Sequence, residues 1–282
     1  MSDRNQTTAL WTGWALLAVW TVGAALYPGT MTEESLTPLP MLYIALALLH
    51  VWIGFGWAGA ATLVAAGYAL GFAAECTSIH TGFPFGWYDH SDVLGVKFAK
   101  VPLFIPIGFF AITYLAWLIS RVIIEDDRGR SLIWTPLVTA LVVTSFDLAT
   151  DAIGATVHGH WTYRYPTGIF GVPLTNYLGW ILTTWAIGMA FSLIAPKFDR
   201  SPPMADRRFW AQPAAFWLIA ALQFPFDYYV IGFGADSAEL VTRGARSWMV
   251  ADIYEGAVIV ALLVMAPPAI MALARLWGRK GK

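Results

Sequence analysis

The sequence predicts an all-α, polytopic transmembrane bundle of about eight helices, and three observations carry that prediction. Charged residues make up only 12% of the 282-residue chain, against about a quarter in a soluble domain. The hydrophobic residues, 58% of the total, gather in runs near or above ~18 residues, the length that crosses a bilayer, rather than in amphipathic stripes. Fifteen Trp and eleven Tyr suit a protein with many membrane–water interfaces, where such rings settle.

The elements follow in order. The first apolar run, from about Ala9 to Tyr27, lacks a small-residue cleavage site and reads as a retained span rather than a signal peptide. Spans are predicted near 40–56 and 58–77, separated by Gly54-Phe-Gly-Trp-Ala-Gly59, where a sharp turn is expected and one long bent helix is the alternative. Gly67-x-x-x-Gly71 is a small-residue seam for close helix approach. Further spans are predicted near 103–124, 132–154, 173–195, 209–231 and 249–276, the last kinked at Pro267-Pro268. No linker or low-complexity segment divides the chain, so residues 1–282 read as a single membrane domain.

With eight spans, twelve Lys and Arg fall on the side holding both termini and five on the other. The positive-inside rule then predicts cytoplasmic termini and a multi-pass protein of the cell membrane. A net charge of −1 gives no reason to expect nucleic acid. The single cysteine, Cys76, excludes an intrachain disulfide and any multi-cysteine metal site. His80, His90, His158 and His160 form no helical HxxxH or HExxH pattern, so they read as interfacial or hydrogen-bonded histidines and no metal site is predicted.

The chemistry is expected on the less basic side. One loop there follows Glu75 through His80, Trp87 and Tyr88 to Val101-Pro-Leu103. Another follows Asp151 through Trp161 and Tyr163 to Val172-Pro-Leu174 and Asn176. Each has a carboxylate at a helix end, a Gly- and aromatic-rich loop, and Val-Pro-Leu opening the next helix, a faint sign of a duplicated hairpin. Ionisable groups within spans default to function because they are costly there. Glu75, Asp147, Asp151, Asp227, Asp252 and Glu255 are all placed at similar depth near this face, with Asp147 and Asp151 sharing a helix face at i, i+4. Carboxyls clustered in a low-dielectric site cannot all ionise, and one kept protonated is a general acid. Aromatic rings beside it (Trp87, Tyr88, Trp161, Tyr163, Tyr177 and Trp180) can stabilise a developing cation. Together these features suit protonation of an isolated carbon–carbon double bond and capture of the tertiary cation by water. Asp89, Asp92 and the Glu125–Asp127 run read instead as wetted loop residues.

At these residues the sequence resembles the integral-membrane carotenoid hydratases, which act on lycopene or γ-carotene ends or on the C50 carotenoid bisanhydrobacterioruberin. The matching stretches are Glu75…Thr81-Gly-Phe-Pro-Phe-Gly-Trp-Tyr88 with Leu94-Gly95 and Val101-Pro-Leu103, then Asp147-Leu-Ala-Thr-Asp151, Trp161 and Gly168-Ile-Phe-Gly-Val-Pro-Leu-Thr-Asn176-Tyr-Leu-Gly-Trp180. Coverage is best over residues 56–195. Ala152 stands where the family pattern has proline, and His90 where it has an aromatic.

The resemblance implies addition of water across a terminal isopropylidene bond of an acyclic carotenoid, giving a tertiary alcohol, with no redox cofactor because hydration changes no net oxidation state. Asp151 or Glu75 would donate the proton, and Asp147 would tune the pair or orient water. Tyr88 and Asn176 would act as hydrogen-bonding partners. Trp161, His80, Asp227, Asp252 and Glu255 complete the set as substrate-binding or supporting residues. The expected partners are a long-chain carotenoid from the lipid phase, membrane lipids and other carotenoid-pathway membrane enzymes. Three alternatives stay open: a membrane prenyltransferase or carotenoid elongase, for which Asp147-x-x-x-Asp151 would be half of a magnesium–diphosphate site; a carotenoid cyclase; and a proton-coupled transporter.

Overall fold

The computed structural model describes residues 3–26, 39–230 and 238–278. Among them run seven helices: α1 (Asp3–Leu26), α2 (Leu39–Thr81), α3 (Ile105–Ile123), α4 (Trp134–Val157), α5 (Leu174–Phe198), α6 (Arg207–Tyr229) and α7 (Val250–Gly278). All but α6 are both long and apolar enough to cross a membrane. The 23 residues of α6 reach ~35 Å, and it buries Phe216 and Trp217 within the bundle.

Among the described residues the seven helices make eight rods, because α2 doubles back at Gly56, whose φ of 67° is open to glycine and strained for other residues. Tyr43, His50 and Phe55 lie progressively along α3 against Gly108, Tyr114 and Trp117. Gly67 and Gly71 then return past Phe110 and Phe109. The sharp turn predicted between Gly54 and Gly59 is therefore present. The Arg200 N–H fixes it by donating to the Gly54 carbonyl at 2.7 Å. The Gly67/Gly71 seam also exists: a Cβ there would sit 3.0 and 2.9 Å from the Cβ atoms of Phe110 and Phe109.

The start of α1 is tied to the start of α6 by Gln212 donating to the Leu10 carbonyl and Trp14 donating to the Arg208 carbonyl. The start of α6 is tied to the end of α7 by Arg207 donating to the Leu276 carbonyl. These three helix ends share one face. On the same side, Arg121 is fully buried between the rings of Trp117 and Trp210, each 4.8 Å away, and its Nη2 donates to Asp199 at 2.9 Å. Its charge is thus matched by a carboxylate and two π faces.

The opposite face carries two features that helix periodicity does not reveal. Three short ribbons occupy its loops: β1 (Tyr88–His90) with β4 (Trp161–Tyr163), β2 (Lys97–Phe98) with β3 (Val101–Pro102), and β5 (Leu240–Arg243) with β6 (Arg246–Met249). Strands of two to four residues are too short to register as an alternating pattern. Pro102 accordingly ends a strand rather than opening α3, which begins at Ile105 with Pro106 in its first turn. The second feature is a relation between the hairpin formed by the second arm of α2 with α3 and that formed by α4 with α5. Their loops meet in the antiparallel β1–β4 pair. Phe109 and Trp180, at matched positions after Leu103 and Leu174, stack at 4.4 Å and 13°. Within α7, a π-helical stretch, Ala261–Met265, lies immediately before Pro267-Pro268, whose two missing N–H groups interrupt the regular ladder.

Candidate active site

Three buried carboxyls converge where the two hairpins meet. Glu75 comes from the second arm of α2, and Asp147 and Asp151 come from one face of α4. Every donor among the described residues comes from the two matching loops and α5. The antiparallel register sets Tyr88 opposite Tyr163 and His90 opposite Trp161. Alternation then turns all four side chains to one face of the ribbon and leaves Asp89 and Thr162 exposed.

Glu75 Oε2 accepts from the Tyr88 hydroxyl at 2.5 Å and is 2.9 Å from His90 Nε2. Asp151 Oδ1 accepts from the Trp161 indole at 2.6 Å, and its Oδ2 accepts from the Tyr163 hydroxyl at 2.9 Å. Asn176, near the start of α5, bridges the α4 pair: its Nδ2 donates to Oδ2 of both Asp147 and Asp151 at 2.8 Å. Asp151 thus accepts three hydrogen bonds, Glu75 two and Asp147 one. Among the described residues, Asp147 Oδ1 and Glu75 Oε1 have no protein donor. Burial, and next the charge of Glu75, pushes the Tyr88 phenol well above its ordinary range. Burial, and next the charge of Asp151, does the same to Tyr163. Both remain donors.

The carboxyls form the polar end of a cavity of about 310 Å³. Its lining runs from there past the stacked pair Phe109 and Trp180, Phe146 and Ile112 to Trp20, Tyr43 and Phe216. The site therefore offers acids at the end of an apolar, aromatic-walled slot. Among the described residues no group of three or more His, Cys, Asp or Glu is placed to hold a metal ion.

Not every candidate reaches this slot. Glu75, Tyr88, Asp147, Asp151, Trp161, Asn176 and Asp227 line it. His80 does not: it is exposed on the last turn of α2, with its Nδ1 on the Cys76 carbonyl at 2.8 Å. Five residues past Glu75, it projects about 140° away around the helix. Asp252 and Glu255 are also exposed, because Tyr254 takes the inward face of α7, and Glu255 accepts from Tyr228 at 2.7 Å. Similar depth along the membrane therefore brings together four of the six predicted carboxyls. His90 takes the place expected of His80. Its signal in the sequence is the two-residue spacing of Tyr88 and His90, matched by that of Trp161 and Tyr163. Trp20 of α1 and Phe216 of α6 carry no comparable signal, since each is one apolar residue in an apolar helix.

A protein-family model described as "Carotenoid biosynthesis protein" matches residues 36–233, which contain the whole carboxyl cluster and its donors. The bisanhydrobacterioruberin hydratase of Haloarcula japonica is 32% identical over 145 residues, 51% of this chain. The match spans about half (47%) of that relative's length. No solved structure matches.

Proposed function

Starting from the chain's membership of the carotenoid biosynthesis protein family, we propose that it is a hydro-lyase that adds water across a terminal isopropylidene double bond of an acyclic carotenoid. One observation carries the reading: buried carboxyls, two of them with an oxygen that takes no donor among the described residues, line an aromatic slot. The slot's volume, about 310 Å³, lies at the small end of the ~300–1,000 Å³ typical of ligand pockets. It takes one isoprenoid end and leaves the rest of the polyene to the lipid.

Asp147 accepts the fewest hydrogen bonds of the three carboxyls and is the proton donor in this scheme. Its O–H bond breaks as the carbon–hydrogen bond forms, leaving a tertiary cation. Asp151, held by three donors, and Glu75, held by two, are the carboxyls that steady the cation electrostatically. The aromatic rings that line the slot add cation–π attraction, on the order of 2 kcal/mol when desolvated. Water then adds to the cation and loses a proton. The name of the Haloarcula japonica relative supports a substrate of the bisanhydrobacterioruberin type. The donors packed on Asp151 argue against the prenyltransferase alternative, since a magnesium–diphosphate site needs those lone pairs free.

Pigment mass tests the reading. The full chain is expressed in one host making lycopene and in another making bisanhydrobacterioruberin. A gain of one or more waters, lost in Asp147→Asn with the protein present in the membrane, is the expected outcome. Unchanged pigment in both hosts would remove the hydratase assignment.

A further inference from the structure

The two oxygens of Glu75 have different surroundings. Oε2 accepts from the Tyr88 hydroxyl at 2.5 Å and from His90 Nε2 at 2.9 Å. Oε1 takes no donor among the described residues, and it is not sealed off as His90 Nδ1 and Asp227 Oδ1 are. The residue lines the slot, and its side chain keeps 7% of its surface accessible. Against the slot's volume of about 310 Å³, a water's share of liquid volume is only ~30 Å³. His90 maintains the asymmetry. Its side chain is buried, and its ring stands edge-on to that of Tyr88 at 5.2 Å. Bonding to a carboxylate oxygen puts the His90 proton on Nε2 and leaves a bare lone pair at the sealed Nδ1. The other tautomer would bury an N–H without an acceptor and set two acceptors face to face. Two donors on Oε2 hold the plane of the carboxyl, so Oε1 keeps its place.

Resting on the hydratase reading, we infer that Glu75 Oε1 holds the water that captures the cation and takes up the proton this water releases, with His90 as the positioning residue that keeps Oε1 free for it. Proton and hydroxyl add to neighbouring carbons. Asp147 gives its proton to carbon, the water oxygen bonds to the adjacent tertiary carbon, and the water's O–H bond breaks toward Glu75 Oε1. The sum is one added water with no oxidation or reduction. The proton begins the cycle on Asp147 and ends it on Glu75, and exchange with solvent restores the starting state.

This division of labour predicts a partition. A cation that meets no held water loses a proton again and leaves as unhydrated polyene. In D₂O that polyene keeps deuterium on carbon. Weaker stabilisation of the cation lowers both products together, whereas loss of the held water lowers only the hydrated one. Membranes carrying the full chain are incubated in D₂O with the polyene that the host assay identifies, and pigments are analysed by mass spectrometry at early times. In Glu75→Gln the two donors from Tyr88 and His90 fix the amide: its carbonyl takes the place of Oε2, and its NH₂ replaces the acceptor at Oε1. The ratio of hydrated to deuterated, unhydrated pigment is expected to fall about tenfold, the size expected for losing one hydrogen bond to a charged group. His90→Phe keeps a ring beside Tyr88 but no donor, and should lower the ratio in the same direction. His90→Gln, which keeps an N–H donor, should recover part of it. An unchanged ratio in Glu75→Gln, or parallel loss of hydration and deuterium, would overturn the inference. If Glu75→Gln does not reach the membrane, His90→Phe decides by the same two outcomes. A wild-type chain that neither hydrates nor deuterates any polyene fails the hydratase reading instead.

Discussion

Tyr88 and Tyr163 lie directly opposite each other in the β1–β4 pair, their ring centroids 5.7 Å apart, and each donates its hydroxyl to the carboxylate that precedes it in its own hairpin, Glu75 and Asp151. The two halves of the site therefore make the same bond twice, and the ribbon locks them together.

The first prediction concerns alkaline pH. Both phenols are held above the ordinary value of 10.0, first by burial and then by the neighbouring negative charges. A group raised on folding contributes stability that is complete below its unfolded value and is lost as pH rises through the folded one. The site should therefore keep both donors at pH 10 and above. Ultraviolet titration to about pH 11 is expected to show equal tyrosinate absorbance in the wild type and in the Tyr88→Phe/Tyr163→Phe double variant. A smaller signal in the variant would mean that these phenols ionise in the native protein.

Asp147→Asn and Asp151→Asn should fail differently. Asp147 has one oxygen without a donor, so an amide fits there, and the protein should keep its melting temperature while hydration and deuterium uptake both stop. Asp151 receives N–H donors at each oxygen, from Trp161 and Asn176. An amide nitrogen at that position must face one of them, at a cost of about 1–3 kcal/mol. A lowered melting temperature with residual deuterium uptake is expected for Asp151→Asn. Abolished uptake in a stable Asp151→Asn would make Asp151 the acid.

Asn176→Leu removes both bridging bonds to the α4 pair in one step. Two buried carboxylate oxygens then lose their shared donor, and destabilisation of about 2–4 kcal/mol is expected. Pigment conversion should fall at least about 100-fold, as when preorganised donors are lost from a charged site. Thermal unfolding in detergent and pigment mass read the two effects separately.

Away from the slot, Asp199→Asn leaves Arg121 buried between two tryptophans without its counter-charge. Removing one partner of a buried pair costs about 3–5 kcal/mol. Adding Arg121→Met should recover much of the lost stability, because the unpaired charge goes with it. Melting temperatures of the two variants decide the point, and failure of the second substitution to restore stability would show that the tryptophan packing, not the charge, is what matters.

The linear sequence determined the membrane-spanning architecture, the turn at Gly54–Gly59, the Gly67/Gly71 seam and the positions of the intramembrane acids. Each of these is written in runs of apolar residues or in single residues whose burial in lipid is costly whatever their neighbours. Only the tertiary structure decided which acids share a cavity. Depth follows from position along a helix, but facing depends on rotation about its axis, so Asp227 turns inward while Asp252, Glu255 and His80 turn out. The ribbon that aims Tyr88, His90, Trp161 and Tyr163 at the carboxyls was equally hidden. Its strands are three residues each, too short to leave a pattern, and they exist because residues some seventy positions apart in the chain can satisfy each other's backbone hydrogen bonds.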